Sequence, residues 1–300
     1  MQKIKANINM PFLSVVMPVY NAEPYIAQAI DSILSQTYQN FEFIIVDDAS
    51  TDASFEIIQK YARKNKRIKV LQNNKTSGVS ITVKKALDIC KGDFIARMDA
   101  DDISYPTRFE KQISYLLSNP KTVAVGGQCL LINKNGRKTG EKKFPVTFEE
   151  IYRYIFHFVP LQQPTLMINK TRLPRDFVFY YDGMNTAEEV ELIFKLFIYG
   201  RVENLADTIL KYRIHKGNTS LKNIKKTFLL TLLSRFKGVI FYGYRPTPEG
   251  IIVTLTQTIV VLLLPKKMIL DLYNFARDFS FNKSKNLFFN FSYKNILSKI

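Results

Sequence analysis

The feature that most constrains this fold is a short apolar run that ends abruptly in three carboxylates. The run covers residues 94–98, and Asp99, Asp101 and Asp102 follow it directly. Such a run predicts a strand buried on both faces, and buried parallel strands present polar residues in the crevice at their carboxyl ends. Acids this close raise one another's pKa unless a cation or hydrogen-bond donors stabilise them. The sequence therefore predicts a functional crevice at the end of this strand.

The spacing of Asp99 and Asp101 is typical of a metal site. Two hard oxygen ligands in an Asp-x-Asp arrangement suit Mg²⁺ or Mn²⁺ that is itself bound to a diphosphate. A solvated turn is the competing interpretation of this stretch. We prefer the turn for Asp102, which is expected to cap the helix that starts near Tyr105. For Asp99 and Asp101 we prefer the metal site.

Strands and helices alternate along the first part of the chain. Alternation at this spacing predicts βαβ units, and hence an α/β fold with a mostly parallel central sheet and helices on both faces. Asn21 is expected to cap the first helix. The predicted strands cover residues 12–20, 41–46, 68–71 and 94–98, with helices up to 34 and over 53–63, 78–90 and 106–117; two more strands are expected within 123–132 and a helix over 148–158.

Composition places the chain among globular proteins of a reducing compartment. Its apolar content of 46% is enough to bury a large core. Cys90 and Cys129 both lie in apolar stretches, which gives neither a disulfide framework nor a cysteine-based metal site. The polar first nine residues, and Ser14 and Pro18 inside the next apolar run, argue against a signal peptide. We therefore expect a cytoplasmic protein.

Positive charge is concentrated near the end of the chain. Of the net charge of +17, +11 lies from Lys216 onward, where 14 Lys and Arg stand against Glu249, Asp271 and Asp278. These charges alternate with Phe and Tyr, which favours an anionic membrane surface over nucleic acid as the partner. A solvated basic face without a partner is the alternative. Two domains are predicted: a catalytic domain over residues 1–220 and a basic helical extension over 221–300.

Two segments of the extension bear on membrane binding. Residues 251–264 are largely apolar, but a transmembrane helix needs roughly 20 apolar residues. Residues 268–279 place apolar side chains at helical spacing beside Lys and Arg, which is typical of a helix lying in a membrane interface. Packing of that helix on the catalytic domain is the alternative. We expect peripheral association with the inner face of the cell membrane.

Five motifs occur in an order that resembles a known enzyme family. They read PVYN at residues 18–21, FEFIIVDDASTD at 41–52, ARMDADD at 96–102, AEEVEL at 187–192 and LKYRIH at 210–215. The series closely resembles family 2 glycosyltransferases, which share the GT-A nucleotide-sugar fold. The resemblance covers residues 12–220 and implies an inverting enzyme that moves a sugar from a nucleotide diphosphate, UDP first, with Mn²⁺ or Mg²⁺ as cofactor. Together with the basic extension, it favours a lipid-linked or cell-surface glycan as the acceptor.

The resemblance assigns roles to residues of the nucleotide site. It implies that Asp48 accepts a hydrogen bond from the nucleotide base and that Tyr20 lies against the base ring, which a carboxylate and an aromatic face can do. Core packing is the alternative for Tyr20. The resemblance also implies that Asp99 contacts the ribose and that Asp101 binds the metal. Pro18 and Asn21 belong to the same substrate-binding motifs.

The resemblance places the catalytic base in the first turn of a helix predicted from Thr186, its expected cap, to Tyr199. Glu189 aligns with the family's base, which is usually Asp, and Glu188 is the reserve candidate. An exposed first-turn Glu is the alternative for both, because the helix dipole favours acids there. His215 can complete a Mn²⁺ shell or bind a phosphate, with a capped strand end as the alternative. Arg213 can reach the diphosphate, and a surface ion pair is equally expected.

The chain departs from the family pattern in several places, of which the longer Glu189 is one. Val83 replaces the usual Arg, whose role is then lost or passes to Lys84 or Lys85, and Gln163 replaces a His that relatives often carry. These departures support an alternative hypothesis, in which the protein is a non-catalytic nucleotide-sugar-binding scaffold subunit of a glycan assembly complex. A nucleotidyltransferase is the other rival, but PVYN supplies no glycine-rich phosphate loop.

Overall fold

The structure is a computed structural model, and it describes residues 10–180, 188–215, 217, 224–266, 268 and 269. The chain divides into two compact units, Met1–Thr254 and Leu255–Ile300. The sheet lies wholly in the first unit. The helix predicted over residues 268–279 lies outside the described residues, apart from its first two positions.

The described residues form one sheet of nine strands. Four of the strands, in the order β3-β2-β1-β4, are parallel neighbours. This part is the predicted βαβ region, and it confirms the α/β fold. Beyond it the order continues β8-β6-β9-β5, with β7 paired to β6 and with β6 and β9 parallel. The strands are β1 (Leu13–Val19), β2 (Phe41–Asp47), β3 (Ile68–Gln72), β4 (Phe94–Arg97), β5 (Ile103–Ser104), β6 (Thr122–Ile132), β7 (Lys138–Lys142), β8 (Met167–Asn169) and β9 (Arg201–Arg213).

A helix follows each of the first three strands, as predicted, and the fourth helix follows β4 after the short strand β5. Among the described helices, none combines the length and the apolar character needed to cross a bilayer. The helices are α1 (Ile26–Leu34), α2 (Ser54–Lys64), α3 (Val79–Leu87), α4 (Arg108–Ser118), α5 (Phe148–Tyr154), α6 (Glu188–Phe197), α7 (Ile224–Phe241) and α8 (Pro248–Leu263).

Alternate side chains of the central strands enter two separate cores, one on each face of the sheet. In β1, Val15 and Met17 lie in one core and Val16 lies in the other. Because successive strand residues point to opposite faces, a strand that is apolar at every position must be covered on both. Side chains of α1, α2 and α4 fill the first core, and those of α3 and α6 fill the second. The predicted helices on both faces are thus confirmed.

Residues 122–132 form one continuous strand, β6, where two strands were predicted. The register between β6 and β9 shifts between Gly126 and Gln128, so the strand bends without breaking. A Cβ atom on Gly126 would overlap Oδ1 of Asn204 in β9. Glycine therefore lets the neighbouring strand approach at the bend, and the polar composition of this region hid its continuity.

Candidate active site

The carboxyl ends of β1, β2 and β4 meet at one edge of the sheet. β1 and β2 are in register to their last residues, with Val19 beside Asp47, and β4 lies on the other side of β1. The turns that follow β1 and β2 contain Asn21 with φ 48° and Ala49 with φ 57°. Non-glycine residues rarely adopt positive φ, and such residues cluster at functional sites. This edge is therefore the candidate site.

Asn21 joins the turns after β1 and β2, and its predicted role as the cap of α1 is wrong. Its N–H donates to Oγ of Ser50 at 3.0 Å, and its Oδ1 accepts from the N–H of Thr51 at 2.8 Å. α1 begins at Ile26 and has no side-chain cap. Pro18 lies just before this turn, half-buried within β1. Asn21 thus fixes the shape of the strand-end edge.

Asp48 and Tyr20 both lie at this edge. Asp48 is 4% exposed, and its carboxylate accepts from Nδ2 of Asn73 at 2.7 Å. The N–H groups of Ser77 and Gly78 donate to it at 2.8 and 2.9 Å. These bonds orient the carboxylate, and its contact with a nucleotide base stays a prediction. Tyr20 is 52% exposed, so core packing, the alternative considered for it, is wrong.

Asp99, Asp101 and Asp102 form an acidic cluster after β4. One carboxylate oxygen of each lies within 4.8 Å of the others. Asp99 and Asp101 are partly exposed, whereas Asp102 is buried. Burial and then the charges of its two neighbours raise the pKa of Asp102 well above its ordinary value, and burial also raises the pKa of Asp99. Positive charge at this cluster would therefore be strongly favoured.

Asp102 does not cap a helix, so that prediction is wrong. Its Oδ1 accepts from the backbone N–H of Arg213 at 2.8 Å, and the next residues form the short strand β5 rather than a helix. Its Oδ2 is buried and has no hydrogen-bond partner among the described residues. A buried carboxylate oxygen without a partner is costly, so Oδ2 is a candidate cation ligand.

His215 contacts the acidic cluster from the end of β9. Its Nε2 lies 2.8 Å from Oδ2 of Asp101, and the N–H of Gly217 donates to its Nδ1 at 3.1 Å. Because Nδ1 accepts from Gly217, Nε2 is the ring nitrogen that faces Asp101. The ring of Tyr25 lies 5.0 Å from the imidazole. Asp101 and His215, both predicted as metal ligands, are thus brought together.

Arg97 is a site residue that the sequence analysis did not single out. Its guanidinium lies 2.8 Å from Oδ1 of Asp99, and the side chain is almost fully buried. Val83 is also buried, and the two side chains line one small cavity. Lys85 instead donates to a backbone carbonyl and to an Asn side chain after β3. Arg97 therefore lines the same cavity as Val83, the position at which the family resemblance led us to expect an Arg. Its position inside the acidic motif could have singled it out.

Arg213 is buried, so the predicted surface ion pair is wrong. Its side chain is 1% exposed. Its Nε donates to the backbone carbonyl of Asp101 at 2.8 Å, and its Nη2 donates to Oε1 of Gln28 at 2.9 Å. Its Nη1 donates to the carbonyls of Asn133 and Lys134 at 3.3 and 3.1 Å. The guanidinium thus holds four segments of the chain together, and its contact with a diphosphate stays a prediction.

The first turn of α6 carries Glu188 and Glu189. Glu188 is buried and Glu189 is half-buried. The alternative considered for both, an exposed glutamate in the first turn of the helix, is therefore wrong. Nε2 of Gln163 donates to Oε1 of Glu188 at 3.3 Å. Burial, followed by the charge of Glu188, raises the pKa of Glu189 to about 8, and the charge of Asp99 adds to this shift. The raised pKa makes Glu189 a candidate proton acceptor.

Comparison with known proteins decides the family. A sequence profile described as "Glycosyl transferase family 2" matches residues 14–179. The chain belongs to glycosyltransferase family 2. One relative of this glycosyltransferase is the Escherichia coli protein named UDP-Glc:alpha-D-GlcNAc-diphosphoundecaprenol beta-1,3-glucosyltransferase WfaP. The two are 31% identical over 217 residues, which cover 72% of this chain and 83% of WfaP.

Solved structures confirm the GT-A fold of the glycosyltransferase. S. aureus TarS 1-349 in complex with UDP-GlcNAc superposes with a TM-score of 0.59 at 21% identity, over 74% of this chain and 66% of that chain. The mannosyltransferase PcManGT from Pyrobaculum calidifontis, in complex with GDP-Man and Mn²⁺, gives a TM-score of 0.57 at 15% identity, over 89% of this chain and 80% of that chain. Identities this low show the shared fold alone.

The glycosyltransferase also uses α1 to build its site, which the sequence did not reveal. Tyr25, just before α1, contacts His215, and Gln28 of α1 contacts Arg213 at the end of β9. The two segments lie far apart in the chain, and an aromatic and an amide at the start of a helix carry no local signal of this role. His157, by contrast, packs edge-on against the ring of Tyr154 at 5.2 Å.

Proposed function

We propose that this glycosyltransferase is an inverting enzyme of surface-polysaccharide synthesis. It moves a sugar from a nucleotide-diphosphate donor, a UDP-sugar in our proposal, to a hydroxyl of a lipid-linked or cell-surface glycan. The observation that carries the proposal is the pairing of Asp101 with His215 beside Asp99. The raised pKa of Glu189 supports it. A single site then contains groups suited to a metal diphosphate and a group suited to proton removal.

The donor nucleotide is proposed to bind along the strand-end edge. Tyr20 offers an exposed ring face for the base, and Asp48 offers an oriented carboxylate for a base N–H. Asp99 is proposed to contact the ribose, and Pro18 and Asn21 shape the adjoining turn. The name of WfaP gives UDP-Glc as its donor, and the TarS complex contains UDP-GlcNAc, which supports UDP as the nucleotide.

Mn²⁺ or Mg²⁺ is proposed to bind at Asp101 and His215. Carboxylate and imidazole ligands fit such an ion, and the buried, unpartnered Oδ2 of Asp102 fits a nearby cation. When bound, the ion would neutralise the negative charge on the departing diphosphate. PcManGT was solved with Mn²⁺, which supports a divalent metal in this fold.

Glu189 is proposed to be the general base. A carboxylate with a pKa of about 8 is well matched to proton removal near neutral pH. It takes the proton of the acceptor hydroxyl as that oxygen bonds to the anomeric carbon. The bond from this carbon to the diphosphate oxygen breaks, and its electron pair leaves with the nucleotide. Attack from the opposite face inverts the anomeric centre, so an α-linked donor gives a β-linked product. Glu188 is the reserve candidate.

The acceptor is proposed to be presented at a membrane. The name of WfaP describes an acceptor joined to diphosphoundecaprenol, which is a lipid carrier. The basic extension over residues 221–300 supports peripheral association with the inner face of the cell membrane, because each Lys or Arg near an anionic surface contributes about 1 kcal/mol. The partners proposed are therefore a nucleotide sugar, a lipid-linked glycan and anionic lipid, and no nucleic acid.

Release of free nucleotide tests the proposed reaction. The intact chain is incubated with a panel of UDP- and GDP-sugars, with and without Mn²⁺ or Mg²⁺, since slow donor hydrolysis needs no acceptor. One donor should be hydrolysed only with metal, and Asp101→Ala and Glu189→Gln should abolish release. Asp88→Ala changes an exposed carboxylate at the end of α3 and should behave like the wild type.

The rival scaffold function predicts a different result in the same experiment. A non-catalytic subunit would bind a donor in a metal-dependent way and release no nucleotide, even with glycan acceptors added. That outcome would remove Glu189 as a base. Buried Arg97 beside Val83, and Gln163 bonded to Glu188, argue that two departures from the family pattern are compensated within the site.

A further inference from the structure

Helix α7 presents apolar side chains to solvent along one side. Four of these residues are spaced by three or four positions, so they lie on one face of the helix. Phe241, at the end of α7, extends this face and is 69% exposed. The four are Leu229, Leu233, Phe236 and Ile240, with exposures of 48%, 48%, 64% and 55%; together with Phe241 we call them the outward face of α7.

The buried side of α7 is, by contrast, polar or small. Thr231, Ser234, Arg235 and Gly238 are the buried residues of the helix. A helix on the surface of a water-soluble domain normally has the reverse arrangement, with its apolar side inward. Isolated exposed apolar residues are ordinary, but a continuous apolar face of this size marks an interaction site.

Specific contacts fix which side of α7 faces outward. Nε of Arg235 donates to the backbone carbonyl of Ile155 at 3.1 Å. The backbone at Gly238 lies against the ring of Phe194 in α6, where a Cβ atom would come within 2.8 Å of the ring. Nζ of Lys237 donates to Glu191 of α6 at 2.9 Å. These contacts lie within one turn in the second half of α7, and the helix cannot turn its apolar face inward without losing them.

The charges around the outward face favour an anionic lipid surface as its occupant. Lys225 and Lys226 lie at the start of α7, and Arg245 lies just beyond its end. Between residues 224 and 266 the sequence contains a single acid, Glu249, and this acid is paired with Arg153 at 2.8 Å. An apolar face flanked by cations is typical of a helix that lies in a membrane interface.

Helix α8 shows the same arrangement when considered by itself. It contains no charged residue after Glu249. Most of its exposed residues are again large and apolar, and four of them are spaced by three or four positions. These four are Ile252, Leu255, Ile259 and Leu262, with exposures of 64%, 58%, 57% and 62%.

We propose that the outward face of α7 docks on an anionic membrane, with the helix lying along the surface. This deepens the proposed function, on which it rests for the acceptor that the membrane would present. α7 packs on α6, the helix that carries Glu188 and Glu189. Docking through α7 therefore holds the proposed base close to the lipid surface.

Vesicle binding by the full chain tests the proposal. Cosedimentation is measured with vesicles of phosphatidylcholine alone and with added phosphatidylglycerol. Leu233→Ser and Phe236→Ser should each lower the partition coefficient for the anionic vesicles about tenfold, because each removes a large apolar side chain from the interface. Phe236→Leu should retain most of the binding. Leu117→Ser is the matched control, since Leu117 is 53% exposed on α4 and should have no effect.

Three results would overturn the proposal. Wild-type binding that is unchanged by Leu233→Ser and Phe236→Ser would place the membrane contact elsewhere in the chain. A wild-type dimer that either substitution converts to a monomer, without vesicle binding, would mean that a second copy covers the face. A monomer that binds neither vesicle would leave the face without the proposed occupant.

Nucleotide release in the absence of vesicles separates this proposal from the proposed function. Both serine variants should hydrolyse the donor in solution as the wild type does, because neither residue belongs to the strand-end site. If no donor is hydrolysed but binding to anionic vesicles depends on Leu233 and Phe236, the docking proposal stands and the proposed reaction fails. If the donor is hydrolysed but the chain binds no vesicles, the proposed reaction stands and the docking proposal fails.

Discussion

Nε2 of His215 lies 2.8 Å from Oδ2 of Asp101, although the two residues are 114 positions apart in the chain. The short strand β5, which directly follows the acidic cluster, pairs with β9 through Ile103 and Lys211. This pairing brings the end of β9 to the carboxyl end of β4. The acidic cluster and the histidine are thus positioned by one small piece of the sheet.

Replacement of His215 tests the proposed metal site. His215→Ala is expected to weaken Mn²⁺ binding about 10–100-fold, because Asp101 loses its partner and a proposed ligand is removed. Calorimetric titration with MnCl₂ measures the affinity. His157→Ala is the matched control, since this half-buried histidine packs on Tyr154 and should not affect the metal. Equal Mn²⁺ affinity in all three proteins would exclude His215 as a ligand.

The raised pKa of Glu189 predicts the pH dependence of the reaction. A base must be ionised to accept a proton, so the rate should rise with pH and level off above about 8. Glu189→Gln should lower kcat about 1,000-fold or more, and the rate of this variant should not rise with pH. Glu189→Asp, which restores the family's usual residue, should retain part of the activity. A pH profile identical in Glu189→Gln and wild type would contradict this role.

The same pKa shift has a consequence for stability. The folded state holds the Glu189 proton more tightly than the unfolded chain, whose glutamates titrate near 4.5. The free energy of unfolding should therefore fall as the pH rises from about 4.5 to about 8 and then stay level. Glu189→Gln removes this contribution, so its stability relative to wild type should increase over that interval. Urea unfolding at several pH values measures the difference, and Glu110→Gln on α4 is an exposed control.

Arg97 is predicted to orient Asp99 for donor binding. Arg97→Met should raise the KM for the donor about tenfold or more and cost about 1–2 kcal/mol of stability, because it leaves a partly buried carboxylate without its partner. The double variant Arg97→Val, Val83→Arg returns a guanidinium to the same cavity and should recover part of the donor affinity. Steady-state kinetics measures the donor KM of both variants, and thermal unfolding checks that they are folded. An unchanged KM in Arg97→Met would disprove the role of Arg97 in donor binding.

Arg213 is predicted to stabilise the fold through its guanidinium geometry. Lysine keeps the charge but cannot reach the carbonyls of Asp101, Asn133 and Lys134 together. Arg213→Lys should therefore lower the free energy of unfolding by about 2–3 kcal/mol in urea titrations. Arg201→Lys, on the same strand but partly exposed, should change it by less than about 0.5 kcal/mol.

Tyr20 is predicted to contribute to donor binding and little to stability. Tyr20→Ala removes a ring that is 52% exposed, so the melting temperature should hardly change. The loss of a stacking surface should raise the donor KM about tenfold. Tyr199→Ala, which removes another exposed ring at the end of α6, is the matched control. A normal KM in Tyr20→Ala would exclude stacking on this residue.

Much of the secondary structure of the N-terminal half could be predicted, because it is indicated by patterns of neighbouring residues. Apolar runs defined β1, β2 and β4, and helical spacing defined the helices between them. Asn21 and Asp102 were assigned wrongly as helix caps for the same reason, since cap residues look alike whether or not a helix follows at once. Both residues instead form hydrogen bonds to other segments, Asn21 to the turn after β2 and Asp102 to the end of β9.

The α/β class, the strand-end acids and the basic C-terminal region could be predicted from local patterns, because hydrophobic periodicity and charge are properties of neighbouring residues. Three other findings required the folded chain: Arg97 pairs with Asp99, Arg213 is buried, and α7 turns its apolar side outward. These outcomes depend on hydrogen bonds, burial and packing between residues distant in the chain. Such contacts exist only once the strands and helices have been brought together.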